Sequence, residues 1–381
     1  MAQRIELGHF CKKVATMPST YDGMIDYIDI SSVDNKSKSI TLVQSIDAKE
    51  APSRAKQLVV NGDVLVSTVR PNLNAVAYVS LPTNNLLVAS TGYCVLRCTD
   101  ELKSRYVYHF CQSPYFVDDM TAQATGASYP AVSAAIVKSS LIPFRSLAEQ
   151  LHIAAVLDKV SKLIDLRKQQ LTKLDEMVKA RFVEMFGDFD LSKPQNNWKA
   201  ICEIGTVVGG ATPKTSVEEY WDGEYRWLTP AELETDTGYI YDSVRKLTKL
   251  GVDSCSLREM PVNTVILSSR APIGKLAIAG KTFYCNQGFK NIICDKSILP
   301  RYLYCVLLFN VEYLKSLGRG ATFKEISKSI VESIMIPIPP FDLQTQFVAF
   351  VEQIDAQKLT VRQSLDKLEI LKKSLMQKYF G

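Results

Sequence analysis

The chain has 381 residues, 46% of them hydrophobic and 22% charged, and carries a formal net charge of +5. That length predicts two globular domains, and the composition excludes disordered, collagen-like and disulfide-stapled classes while only permitting a nucleic-acid partner. No run of about 18 apolar residues occurs, the start lacks a signal-peptide core, and nine cysteines follow no recurring spacing, so a cytoplasmic protein with no membrane span and mostly buried thiols is expected.

Residues 1–146 hold short β-branched or aromatic runs at 58–60, 64–69, 76–79 and 94–96, set apart by Gly, Pro and Asn. A short helix is expected over 102–111 and a last strand over 136–143. Residues 147–187 then read as one long helix. Its apolar positions are Ile153, Leu157, Val160, Ile164, Leu171, Leu174, Val178 and Met185, interrupted by Arg167 and Arg181, and their four- and three-residue steps make a heptad seam. A linker at 188–197, rich in Asp, Pro and Asn, opens a second block, 188–342, with its own strand runs and a short helix at 298–309. Residues 343–381 form a second long helix with the seam Phe347, Val351, Ile354, Val361, Leu365, Leu368 and Leu375, Lys358 and Lys372 being interposed. Neither long segment contains Gly or Pro before its end, and each spans roughly 55–60 Å at 1.5 Å per residue.

The second half repeats the first. Arg105-Tyr106-Val107-Tyr108 returns 196 residues later as Arg301-Tyr302-Leu303-Tyr304, and at the same offset Gly92-Tyr93 and Cys98 find Gly288-Phe289 and Cys294. Further on, Gly126-Ala127-Ser128 matches Gly320-Ala321-Thr322 at an offset of 194, and upstream Val64-Leu65-Val66-Ser67-Thr68 matches Val265-Ile266-Leu267-Ser268-Ser269. Both copies close on Phe-Gly, at Phe186-Gly187 and Phe380-Gly381. A period near half the chain length defines the architecture. The fold class is α+β: two tandem domains with twisted, mixed or antiparallel sheets and two long helices paired as an antiparallel coiled coil, in a pseudo-two-fold repeat that brings residues near the two ends of the chain together. Such a helix pair would hold the domains at a fixed separation.

The segment Gly209-Gly210-Ala211-Thr212-Pro213-Lys214, followed by Glu219-Tyr220-Trp221 and Arg226-Trp227-Leu228-Thr229-Pro230, resembles the opening of recognition domains in the specificity subunits of type I restriction-modification systems. The order of segments is similar along essentially all 381 residues. The first copy departs at Ala15-Thr16-Met17-Pro18, which lacks the paired glycines. The resemblance implies two target-recognition domains, at 1–146 and 188–342, each followed by a long helix. It implies that each domain reads one half of a split sequence in double-stranded DNA, that the helices dock two modification (methyltransferase) subunits, and that restriction (translocase and nuclease) subunits join further out. S-adenosylmethionine, ATP and Mg are implied for those partners only; no cofactor is expected on this chain.

Candidate DNA contacts fall at matched places in the two copies. Ser67, Thr68 and Arg70, with Ser268, Ser269 and Arg270, follow apolar strands; an arginine there can read guanine bidentately and hydroxyls can bind phosphate. Thr91, Gly92 and Tyr93, with Gln287, Gly288 and Phe289, combine a small residue that permits close approach with polar and aromatic neighbours, although a β-bulge with a core aromatic has the same pattern. Ser128 and Tyr129, with Arg319, Thr322 and Lys324, lie in polar loops before the last strand, and the second loop is distinctly basic. Arg105-Tyr106 and Arg301-Tyr302 read as packing and surface residues at helix starts.

Other chemistries fit poorly. An adenine methyltransferase needs an acceptor side chain before its Pro-Pro-aromatic loop, where Ile338 precedes Pro339-Pro340-Phe341, so that stretch reads as a strand-to-helix joint. Pro213 stands where a phosphate loop needs glycine. Cys94, Cys98, His109 and Cys111 suggest zinc only until Lys290 is found in place of Cys94 in the second copy. A single-chain nucleic-acid methyltransferase and a duplicated coiled-coil scaffold for proteins remain the competing readings.

Overall fold

The computed structural model describes residues 3–233, 237–320 and 324–381. The chain divides into two compact units: unit 1 comprises residues 1–166 and 365–381, and unit 2 residues 167–364. Each unit therefore takes the start of one long helix and the end of the other.

Unit 1 holds two four-stranded sheets. In the first, Met24–Ile28 lies between Gln44–Asp47 (antiparallel) and Leu86–Ser90 (parallel), and Ala55–Leu58 closes the edge. In the second, Tyr93–Cys98 pairs antiparallel with Val64–Ser67, flanked by Cys11–Lys12 and Val76–Tyr78. Unit 2 repeats this plan with a three-stranded sheet, Arg245–Leu247, Trp221–Leu228 and Tyr284–Cys285, and a five-stranded one built on Gly205–Gly209, Lys290–Cys294, Val265–Leu267 and Leu276–Ala279. The apolar strand runs Val64-Leu65-Val66 and Val265-Ile266-Leu267 are buried along their whole length, as expected of strands covered on both faces.

The expected helices are Ser104–Phe110 and Pro300–Phe309. The expected strand over 136–143 is half helix: Ala134–Ser139 is α-helical, with Ser133 Oγ accepting from the Ile136 N–H at 3.2 Å, and only Leu141–Pro143 is strand. Ser327 caps the matching helix Lys328–Glu332. A local capping bond outweighs the β preference of Ile136 and Val137 here.

The long helices run Leu147–Phe186 and Phe341–Phe380. Leu157, Val160, Ile164, Leu174 and Val178 are buried on the first, and Ile354, Val361 and Leu365 on the second; Leu171, Leu368 and Leu375 are half-buried. Arg167 Nε donates to Ser364 Oγ at 3.3 Å and Lys358 pairs with Asp175 at 2.7 Å, so a step up one helix is a step down the other and the pair is antiparallel. Each helix end fills a pocket: Phe380 packs on Tyr106 and Phe110 in unit 1, and Phe186 on Tyr302 and Phe347 in unit 2. Arg4 Nη2 donates to the carbonyls of Phe380 at 2.9 Å and Gly381 at 3.0 Å, which places residues near the two ends of the chain side by side in unit 1.

Two glutamines fasten the helix starts. Gln150, fully buried, donates to Glu101 O and Arg145 O and accepts from Lys103 N. Gln344 does the same with Ser297 O, Pro339 O and Leu299 N. Each buried amide is satisfied by three backbone groups, which a core polar side chain needs to be tolerated.

Candidate nucleic-acid interface

Three segments meet at the strand tips of each unit, and the backbone bonds that tie them recur. In unit 1, Thr68 N and Oγ1 both donate to Gly92 O at 2.9 Å, and Val132 N donates to Thr68 O. In unit 2, Ser269 N and Oγ donate to Gly288 O at 2.8 and 3.1 Å, and Ile326 N donates to Ser269 O. Ser67 Oγ closes a turn on Val69 O and Ser268 Oγ one on Pro272 O. The third segment is a loop pinched at its base, by Thr125 and Ala131 in unit 1 and by Arg319 and Glu325 in unit 2. Its glycine, Gly126 or Gly320, has φ of +106° or +123°, a conformation that side chains rarely adopt.

This framework corrects part of the sequence reading. Ser67, Ser268 and Ser269 are buried, and their hydroxyls bond backbone carbonyls instead of facing solvent. Tyr93 and Phe289 are core aromatics; the Tyr93 hydroxyl donates to Asp29 O at 2.8 Å, and burial raises its pKa. Gly288 is buried, and a Cβ at Gly92 would come within 2.3 Å of Ile30 Cδ1. Thr68 is half-buried with its hydroxyl engaged on Gly92. Side chains at the surface are Arg70, Thr91, Ser128 and Tyr129 in unit 1 and Arg270, Gln287, Arg319 and Lys324 in unit 2. Thr322 lies outside the described residues.

The two arginines are also not register partners. Val69 bridges Ala131 as Arg270 bridges Glu325, so Arg70 stands one residue beyond the place of Arg270. Arg70 has a left-handed backbone, φ 50°, and its guanidinium lies 4.7 Å over the ring of Tyr129, which is 68% exposed. With Ser31, Asp34, Asn35 and Thr41 these two residues rim an open cleft. In unit 2, Glu325 accepts from Arg270 Nε at 2.9 Å and Lys290 Nζ at 3.1 Å. Partial burial pushes the Glu325 carboxyl up, but hydrogen bonds and charge from Lys290 and Arg270 hold it below its usual range.

The remaining sequence candidates have structural work. Tyr106 and Tyr302 are buried, their hydroxyls on Pro143 O and Pro337 O. Ile338 to Pro340 joins the strand Met335–Ile336 to the second long helix. Gly210 is needed because a Cβ there would lie 2.1 Å from Cys285 O, a reason for the paired glycines of the second copy. Sequence reasoning missed Glu325 and Lys290; the signal available was a change of charge between matched positions of the repeat.

Two copies of one α+β unit, each leading into a 40-residue helix that pairs with its counterpart, define a duplicated protein whose exposed strand-tip side chains differ between the copies. The chain belongs to the family of the type I restriction modification DNA specificity domain, which matches residues 5–176 and again residues 195–369. It is similar to the type I restriction enzyme MjaIX specificity subunit of Methanocaldococcus jannaschii, 40% identical over 185 residues that cover 47% of this chain and 43% of that protein. It is also similar to the EcoR124I/EcoR124II specificity subunit of Escherichia coli, 23% identical over 239 residues covering 59% and 56%. The chain thus spans about half the length of these curated relatives. Its fold is similar to that of a chain solved in a study of complex assembly and conformational transition of the type I R-M system, with TM-score 0.63, 24% identity and coverage of 99% and 97%. The S subunit of a type I restriction-modification system from M. genitalium gives TM-score 0.55 at 16% identity, covering 99% and 96%. No helix among the described residues is long and apolar enough to cross a membrane.

Proposed function

We propose that the chain is the sequence-reading subunit of a type I restriction-modification assembly, each unit recognising one half of a bipartite target in double-stranded DNA. The observation that carries this is the duplicated strand-tip framework, whose backbone bonds repeat while its exposed side chains differ. One scaffold thereby offers two different surfaces, as two unlike half-sites require. Arg270, Arg319 and Lys324 supply positive charge on unit 2 and Arg70 on unit 1, for base edges and phosphates. The chain itself transfers no methyl group. The helix pair docks two modification subunits, with restriction subunits beyond them, and S-adenosylmethionine, ATP and Mg stay with those partners.

The test is an exchange of units. Replacing residues 198–342 with the same segment of a relative, in complex with the modification subunits, should change the methylated sequence in one half only. A hybrid with both halves altered would refute independent reading. Titration calorimetry of S-adenosylmethionine into the purified chain should give no heat of binding, and a measured site would show that the methyl donor is held here.

A further inference from the structure

The strand tips of the two units differ in a concerted way. Unit 2 carries Arg270, Lys290 and Glu325 where unit 1 carries Val69, Cys94 and Ala131. The correspondence is set by pairing: Val69 bridges Ala131 as Arg270 bridges Glu325, and Tyr93 faces Ser67 as Phe289 faces Ser268. Two frameworks that keep their backbone bonds and exchange a whole charged triad for three uncharged residues do not need that triad to fold. What the exchange alters is the chemistry presented at the tip.

Within the triad each group has a separate task. Lys290, with 12% of its side chain exposed, also reaches Ser269 Oγ at 3.3 Å, so it offsets the charge of Glu325 from the inner side. Arg270, with 46% of its side chain exposed, is gripped through Nε, which leaves the Nη1–Nη2 edge of the fork out of the pair. That edge forms two parallel hydrogen bonds to a planar acceptor pair, and guanine offers O6 and N7 in that geometry. We propose that Arg270 reads a guanine in the half-site of unit 2, that Glu325 is the positioning residue that aims it, and that Lys290 is the buried counter-charge of Glu325. Unit 1 lacks all three and reads by other chemistry, through Arg70 stacked on Tyr129. The assignment rests on the DNA-reading function proposed above.

The experiment measures methylation rates of the complex with its modification subunits on duplexes carrying each base pair at each position of the recognised sequence. Three proteins are compared: wild type, Glu325→Gln, and the triple substitution Arg270→Val, Lys290→Cys, Glu325→Ala, which installs the set that unit 1 accommodates on the same framework. At one guanine of the second half-site, discrimination against other bases should fall about ten- to hundredfold in both variants, with every position of the first half-site unchanged. A triple variant that keeps wild-type discrimination at all positions overturns the assignment. So does a loss spread evenly over every position of the second half-site, which is what a purely structural role in unit 2 produces. A wild-type complex with no sequence preference would bring down the DNA-reading function, and this assignment with it.

Discussion

The arginine that opens the short helix of each unit is the same residue in the repeat, yet Arg105 and Arg301 meet different partners. Arg301 pairs with Asp355 on the second long helix and donates to Thr237 O; the ion-pair side chains are 6% and 12% exposed. Arg105 pairs with Asp158 at 2.6 Å, with side chains 41% and 32% exposed, and His109 shares that carboxylate at 2.7 Å. The helices align at Gln150 and Gln344, so Asp158 corresponds to Glu352 and Asp355 to Ser161. The acid has moved by one helical turn between copies, and the pair went from half-exposed to buried. An arginine at a fixed place on a short helix is thus satisfied by whichever turn of the long helix offers a carboxylate, and the depth of that turn sets what the pair is worth.

Depth gives the largest expected difference between the units. Burial pushes the Asp355 carboxyl up against the opposing pull of Arg301 and Lys358, so removing the arginine leaves an unpaired charge in a poor solvent. Arg301→Ala should cost about 3–5 kcal/mol, and Arg105→Ala no more than about 1 kcal/mol, because water screens that pair. Urea denaturation of the two variants measures both. Equal losses would show that the burial difference carries no energetic weight.

An intermediate effect follows from the residue next to this pair. His109 occupies the place of Cys305. Burial depresses the His109 pKa, and the hydrogen bond and charge of Asp158 only partly offset it against further repulsion from Lys372 and Arg105. A neutral ring facing a carboxylate must donate, so Nε2 carries the proton and Nδ1 is left without a partner in the core. The folded pKa lies below the unfolded value near 6.5. Its contribution to stability is therefore fully present above about pH 6.5 and is lost as the pH falls through the depressed folded value. Between pH 7.5 and 5 the wild type should lose more stability than His109→Cys, which borrows the residue of unit 2. Parallel pH profiles for the two proteins would show that His109 ionises equally in the folded and unfolded chain.

The repeat and both helices were legible because each rests on a pattern local in sequence: recurrence at a fixed offset and a heptad seam. The strand-tip serines were misread for the opposite reason. Ser269 looks like a hydroxyl at a strand end, and only the fold brings Gly288 O to its Oγ. The same holds for Gln150 and Gln344, whose partners Glu101 and Ser297 lie more than forty residues away. Glu325 was hidden because a lone acid in a basic loop has no periodicity; it becomes visible once pairing places it opposite Arg270 and shows Ala131 in the other copy. Likewise the seam predicts which helix faces meet, but not that Phe380 and Phe186 each complete the aromatic cluster beside the matching tyrosine.

The smallest expected effect concerns the helix pair itself. Lys358 and Ile164 hold equivalent seam positions in the two copies, as do Asp175 and Glu369. Unit 1 buries the isoleucine, whereas in unit 2 the Lys358 stem is largely covered and its ammonium reaches Asp175 at 2.7 Å, the aspartate being 63% exposed. A pair with one partner in water gains little Coulomb energy, and two long side chains lose freedom to make it. Asp175→Ala should therefore cost only about 0.2–1 kcal/mol, and the cost should shrink further as salt rises. Lys358→Ile, which copies unit 1, extends the apolar stripe but also removes one of the two cations that favour the Asp355 carboxylate, so it should cost more than Asp175→Ala. Thermal melts of the two variants at low and high salt separate the terms. If Lys358→Ile melts no lower than Asp175→Ala, the charge of Lys358 does nothing for Asp355 and the two halves of the seam are interchangeable.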